Sequence, residues 1–301
     1  MLEFINVMRV VGTILITNSH FDRIWPIATL ATGGTLGNVI FFFVAGYCYS
    51  PKEKNVLQHV LIKFIKLYIP IFIVQLVCTI SGIYKFANAK EFLEICLFPT
   101  NYWFFPCILI GYSFWFEIIK HRISILSVSV ITLICSVIAY FFRGVFITYP
   151  FYLAVMGAGV YSKQKELTCS KVKLTHVFCA VVAFYAIKYF SARYVIIGVL
   201  ENIIALVAVL LFYLWISQKE VVLKKNNTKI IHKTVSIIAS MSWHIYLVQV
   251  PILKKMIIPD CFFGAFFMAC LLISIFSFVL KCVDSKFNSV ILKRKWYGKK
   301  S

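Results

Sequence analysis

Apolar runs separated by short charged clusters repeat along this chain, and each run is long enough for a helix rather than a strand. Ten such runs are predicted: Phe4–Ser19, Leu36–Tyr49, Val60–Ile80, Tyr102–Ile119, Ile123–Phe142, Thr148–Tyr161, Leu174–Tyr189, Tyr194–Ser217, Thr234–Ile252 and Cys261–Leu280. The breaks between them are polar. His20–Thr35 holds Asp22, Arg23, Trp25 and Pro26, Lys120-His121-Arg122 forms a basic turn, and Gln218–Lys233 is lysine-rich. Within the runs polar residues are too sparse to form a hydrated face, so the predicted helices face lipid or one another. Gly37 and Gly46 in the second run are placed for close helix contact. Pro70 in the third is placed for a kink.

Composition turns this pattern into a membrane assignment. Of the 301 residues 61% are hydrophobic and the mean hydropathy is +0.88, against about 45–50% apolar residues in soluble domains. Twenty-nine Phe and sixteen Tyr stand against 11 acidic residues, which excludes a soluble surface. The formal charge of +20 does not point to nucleic acid, because the basic residues cluster between apolar runs and near the C-terminus, as on a cytoplasmic membrane face. The 10 Cys are scattered without a CxxC pair. They read as small core residues, and no metal is expected. The first run lacks an Ala-x-Ala-like exit, so no cleavable signal peptide is expected.

Charge also predicts orientation. With ten spans both termini share one side. The opposite loops then hold only Arg23, Lys85, Lys90, Arg143, Lys188, Arg193, Lys254 and Lys255. The other basic residues, apart from Arg9 inside the first run, fall on the side of the termini, which the positive-inside rule makes cytoplasmic. The expected fold is all-α, a polytopic bundle of about ten transmembrane helices in the cytoplasmic membrane. Residues 1–280 form one transmembrane domain and 281–301 a basic cytoplasmic tail.

Ionisable residues inside such a bundle are the candidates for chemistry. Arg9 and His20 are eleven residues apart, which on a helix places them on nearly one face, roughly 16 Å apart along the axis. His20 has two readings. It is a general base oriented by Asp22 two residues on, or an interfacial histidine among loop polar groups. Arg9 either faces a protein-lined cavity or snorkels to the interface. Lys63 and Lys66 share a helical face and suit either a phosphorylated cofactor or an ordinary interfacial anchor. In the ninth run His244 stands among Ser240, Ser242, Tyr246 and Gln249, as a cavity lining or as a satisfied packing residue.

Taken in order, these segments resemble the membrane-bound acyltransferase family 3, the O-acetyltransferases of bacterial surface glycans. The resemblance runs from Met8 to about Leu280. It rests on Arg9 and His20 in MRVVGTILITNSH, on GNVIFFFVAGY (Gly37–Tyr47), and on the basic pair Lys63-Phe64-Ile65-Lys66 ahead of Tyr68 and Pro70. It continues through Tyr102-Trp103-Phe104, through Tyr152, Leu153 and Gly157, and through Ser240, Tyr246 and Leu247. Two positions depart from the family pattern. The basic pair is lysine rather than arginine, which keeps the charge but loses the bidentate fork, and Gln249 replaces the late histidine.

The resemblance implies an O-acyltransferase that takes an acetyl or similar group from cytoplasmic acetyl-CoA, or a related acyl-CoA, to a hydroxyl of a surface polysaccharide or its lipid-linked precursor. His20 is then the base with Asp22 beside it, and Arg9 holds the thioester end or a phosphate. Lys63 and Lys66, with Lys52 and Arg122, meet the donor phosphates. An extended pantetheine arm would bridge Arg9 and His20. No hydrolase-like domain follows the tenth run, so the transfer is expected to be completed in the membrane. Expected partners are acyl-CoA, a glycan or lipid-linked glycan acceptor and membrane lipid, with polysaccharide-assembly proteins or a homo-oligomer left open. The rival readings are a transporter or flippase for a small metabolite or lipid-linked sugar, and a non-catalytic partner in polysaccharide assembly.

Overall fold

A computed structural model describes residues 3–51, 55–84, 88, 90–91, 102–140, 142, 148–169, 171–191, 195–220, 223, 229–255 and 261–292. The described residues form an all-α fold with ten α-helices: α1 (Glu3–Ser19), α2 (Gly34–Tyr47), α3 (Val56–Ile80), α4 (Phe104–Lys120), α5 (Ile125–Tyr140), α6 (Thr148–Gln164), α7 (Leu174–Ser191), α8 (Val195–Ser217), α9 (Lys229–Lys255) and α10 (Phe262–Leu292). A single 3₁₀ turn, Ala28–Leu30, precedes α2. The helices occupy the predicted positions in order, and the largest extensions beyond the predicted runs are in α3, α9 and α10. Asn55 caps α3 by accepting from the Leu57 N–H at 2.9 Å, which starts the helix four residues early. α9 takes in residues assigned to the preceding loop, and α10 runs on to Leu292 through residues assigned to the tail. Pro70 lies inside α3, which is helical on both sides of it.

Among the described residues five segments are long and apolar enough to cross a membrane: Ala28–Tyr47, Val56–Ile80, Ile197–Ser217, Ile230–Lys255 and Phe262–Ser289. α1, α4 and α6 have 17 residues each, about 25 Å at 1.5 Å per residue, short of a hydrocarbon core of about 30 Å. Many large apolar side chains of the described helices face outward. Phe263, Phe267 and Phe278 of α10 and Ile131, Ile134 and Ile138 of α5 are all exposed. Water does not tolerate such continuous patches, but lipid does. The protein is a multi-pass membrane protein.

The chain folds as two compact units. The first comprises Met1–Ile16, Gly33–Lys52 and Ile110–Ala239, and the second Thr17–Thr32, Glu53–Leu109 and Ser240–Ser301. In the first unit α2 packs against both α6 and α8, α5 packs on α6, and α7 on α8. Glycines set the closest approaches. A methyl group on Gly46 would overlap the Met156 carbonyl, and one on Gly159 would overlap the Phe43 carbonyl. Gly37 meets α1, where a Cβ would stand 2.6 Å from Ile16 Cγ1 and 2.8 Å from the Gly12 carbonyl oxygen. These backbone contacts cannot be relieved by a rotamer change. Gly46→Leu is therefore expected to destabilise the fold by roughly 1–3 kcal/mol or more, read as a lower melting midpoint and poor recovery from detergent. The N-terminus of α1 is held by Glu220, whose carboxylate accepts from the Glu3 and Phe4 N–H groups at 3.2 and 3.0 Å, a favourable anion at a helix start.

In the second unit α3 packs against α10. Ile71, Val74 and Cys78 of α3, Leu247, Val248 and Leu253 of α9, and Ala265, Ala269 and Ile273 of α10 form one core with Phe21 and Ile24. The Tyr102 hydroxyl donates to the Leu247 carbonyl at 3.2 Å.

Candidate active site

His20 lies one residue past the end of α1, in a turn held by a small hydrogen-bond network. Its backbone N–H donates to the Thr17 carbonyl and that of Phe21 to Asn18, while the Ile24 and Trp25 N–H groups both donate to Phe21. The chain thus turns back tightly as the helix ends. Asn18 ties this turn to the following segment. Its Nδ2 donates to the Leu30 and Thr32 carbonyls, both at 2.9 Å, and its Oδ1 accepts from Trp25 Nε1 at 2.8 Å. Phe21 and Trp25 pack against Phe266, and Trp25 also packs against Phe262. With Phe21 and Ile24 buried, His20 and Asp22 are carried on a segment anchored on both sides.

A cavity of about 230 Å³ opens beside it, lined by His20, Asp22, Arg23, Ile24, Val250, Leu253 and Lys254. The cavity brings His20 and Asp22 together as the spacing predicts, and adds two cations. Burial pushes the His20 imidazole below its ordinary value, and the Asp22 carboxylate partly offsets that shift. The ring is therefore mainly neutral at pH 7, the form able to accept a proton. Lys254 belongs to the last turn of α9. No local pattern links a residue there to His20.

The other predicted residues lie elsewhere. Arg9 belongs to the first unit. Its Nη2 reaches Cys48 Sγ at 3.7 Å, and its carbonyl accepts from Thr13 Oγ1 at 2.8 Å. Nearby in that unit, Tyr49 donates to the Tyr112 carbonyl at 2.8 Å, and Lys163 donates to the Tyr49 carbonyl at 3.2 Å. Arg122 is exposed in a left-handed turn after α4, with φ 54°. Lys63 and Lys66 sit one turn apart on α3, half-buried and exposed respectively. They flank Phe64, whose ring stacks on Tyr68 at 4.9 Å. They do not line the His20 cavity. Lys52 lies outside the described residues.

His244 meets a partner forty residues away. Its Nε2 lies 3.2 Å from Asp284 Oδ2, and both residues are buried. Asn288 Nδ2 donates to the other oxygen of Asp284 at 2.7 Å, and Lys281 Nζ donates to Ser240 Oγ. Ser240 and His244, read from spacing as one helix face, thus meet α10 as a polar interlock. Gln249 is fully buried, with neither its Oε1 nor its Nε2 hydrogen-bonded. Among the described residues no group of three or more His, Cys, Asp or Glu gathers as metal ligands.

A protein-family model described as an acyltransferase domain matches residues 2–283. No curated protein and no solved structure matches the chain significantly. The family match covers nearly the whole chain and agrees with a multi-pass helical fold. The chain belongs to the acyltransferase family 3 of membrane-bound enzymes, and it is an acyltransferase.

Proposed function

We propose that this acyltransferase moves an acetyl or similar acyl group from an acyl-CoA to a hydroxyl of a surface glycan or of its lipid-linked precursor. The observation that carries this reading is His20, held mainly neutral by burial over a cavity it shares with Asp22, Arg23 and Lys254. In the reaction the acceptor oxygen attacks the thioester carbonyl carbon as His20 takes the hydroxyl proton. The C–S bond then breaks, and the CoA thiolate departs and is protonated. Asp22 steadies the imidazolium that forms. Arg23 and Lys254 supply positive charge beside the developing oxyanion. Arg9 holds the thioester end or a phosphate of the donor, and Lys63, Lys66 and Arg122 meet the CoA phosphates. All ten helices belong to the membrane domain, and both termini face the cytoplasm, where acyl-CoA is made.

The test is transfer of radiolabel from acetyl-CoA to a crude glycan fraction by purified protein in nanodiscs, with His20→Ala alongside. Label on the glycan with the native protein alone supports the reading. Label with both keeps the activity but removes His20 from its role. Label with neither refutes the reading. The lysine assignment has its own check. Lys63→Gln with Lys66→Gln is expected to raise KM for acetyl-CoA roughly tenfold, since both positions are partly solvated and screened, with kcat little changed. KM of the native enzyme should rise with salt, and that of the double variant should rise less.

A further inference from the structure

The cavity at His20 takes its walls from two pieces of chain, and every polar side chain in its lining is ionisable. From α9 come Val250, Leu253 and Lys254, spaced i, i+3 and i+4 and so on one face of that helix. From the segment after α1 come His20, Asp22, Arg23 and Ile24. There the Ile24 and Trp25 N–H groups close a turn on the Phe21 carbonyl at 2.9 and 3.0 Å, and Phe21 and Ile24 are buried. Asp22 and Arg23 thus stand exposed on anchored backbone, and Lys254 is exposed as well. The remaining lining, Ile24, Val250 and Leu253, is apolar. Among the described residues no hydroxyl, amide or aromatic side chain lines the cavity. It therefore lacks the neutral hydrogen-bonding side chains that commonly orient a ligand.

Charge is what the lining offers instead. Arg23 and Lys254 are pure donors, with no lone pair to offer a donor in return. They stand against one carboxylate, Asp22, while His20 is mainly neutral. The ion pairs among the described residues include none of these three charges. One cation therefore has no counter-charge in the cavity until an oxyanion forms. With the termini cytoplasmic, as proposed, Arg23 and Lys254 fall on the cation-poor side of the membrane, so the positive-inside bias does not account for them. The charges are also ordered. Asp22 is two residues from the base, and Lys254 comes from the other piece of chain. An anionic group entering the cavity is repelled beside His20 and drawn toward Lys254, which fixes its direction of entry.

We infer that the acceptor hydroxyl belongs to an acidic sugar, one that bears a carboxylate of the hexuronic type: Lys254, with Arg23, holds the carboxylate, and His20 meets a hydroxyl of the same residue. This rests on the proposed acyl transfer at His20 and adds the charge class of the acceptor. Arg23 and Lys254 then set specificity through charge-assisted hydrogen bonds that a neutral sugar cannot make.

The experiment compares two forms of one acceptor. A crude glycan fraction from the source cell, released from lipid, is offered with radiolabelled acetyl-CoA at saturation, beside the same fraction after carbodiimide activation and borohydride reduction. Reduction turns each carboxylate into a neutral alcohol and leaves phosphate untouched. The acidic form is expected to have a kcat/KM roughly tenfold higher, a modest factor because both cations are exposed and screened. Added salt should narrow that preference. Lys254→Gln and Arg23→Gln should each shrink it several-fold, Lys254→Arg should keep it, and Lys254→Glu should abolish it. Because each value is a ratio of two acceptors, any share these cations have in stabilising the oxyanion cancels. Equal or faster transfer to the reduced form overturns the inference and leaves acyl transfer standing, and it is also the result if the recognised anion is a phosphate. A preference untouched by Lys254→Gln and Arg23→Gln overturns it too, since the carboxylate would then be read elsewhere. Label on neither form sinks the acyl-transfer reading itself.

Discussion

His20→Ala is expected to lower acyl transfer by roughly 10²–10⁴-fold, the usual contribution of a positioned general base, while the protein still folds. The fold should survive because His20 is only half-buried and stands past the end of α1, and because the turn around it is held by Asn18 and by buried Phe21 rather than by the imidazole. The pH profile gives the sharper test. Burial pushes the His20 pKa below 6.5 and Asp22 partly raises it again. The neutral base therefore persists on the acid side of 6.5, and the acidic limb of kcat/KM should lie below that value. Asp22→Asn removes the group that stabilises the imidazolium, so the limb should move further down while the rate falls. A limb moving up in that variant would show that the titrating base is another group. The same shift bears on stability. A histidine with a depressed folded pKa binds its proton more readily when unfolded. Its contribution is thus complete above 6.5 and is lost as pH falls below 6.5 through the folded value.

The largest expected stability effect lies between α9 and α10. His244→Leu removes the group facing Asp284 and leaves a carboxylate buried with only Asn288 to satisfy it. Breaking one side of a buried pair costs about 3–5 kcal/mol, and an apolar surround makes an uncompensated charge especially unfavourable. Thermal melting in detergent should show a large drop for His244→Leu. The double variant with Asp284→Leu should recover most of it, because an apolar pair of similar volume meets no such penalty. Equal losses in the single and double variants would mean that the pair is not what joins these helices. Acyl transfer by the double variant, measured on protein that still folds, separates an interlock from a catalytic role. An interlock predicts near-native kcat.

Each helix position was legible in the sequence because run length, turn residues and the spacing of charges are properties of contiguous residues. The ten predicted runs correspond in order to the ten described helices, and the early start of α3 has a local cause, the Asn55 cap. The candidate base was legible for a similar reason: His20 and Asp22 are two residues apart, and one turn of chain brings both to the same cavity. The close-packing role of Gly46 could be read as a tendency, but its contact with Met156 could not.

What the sequence determined by itself was the solvent, the helical class and the positions of the helices, together with the residue types able to do acid–base chemistry within them. Only the tertiary structure decided the partners. It set Lys254 beside His20, Asp284 against His244, and Arg9 in a different compact unit from His20. The physical reason is that helices apolar on nearly every face carry little periodic signal of which side turns inward. That choice is made by packing between segments far apart in the chain, where a few glycines and buried polar groups select the neighbours.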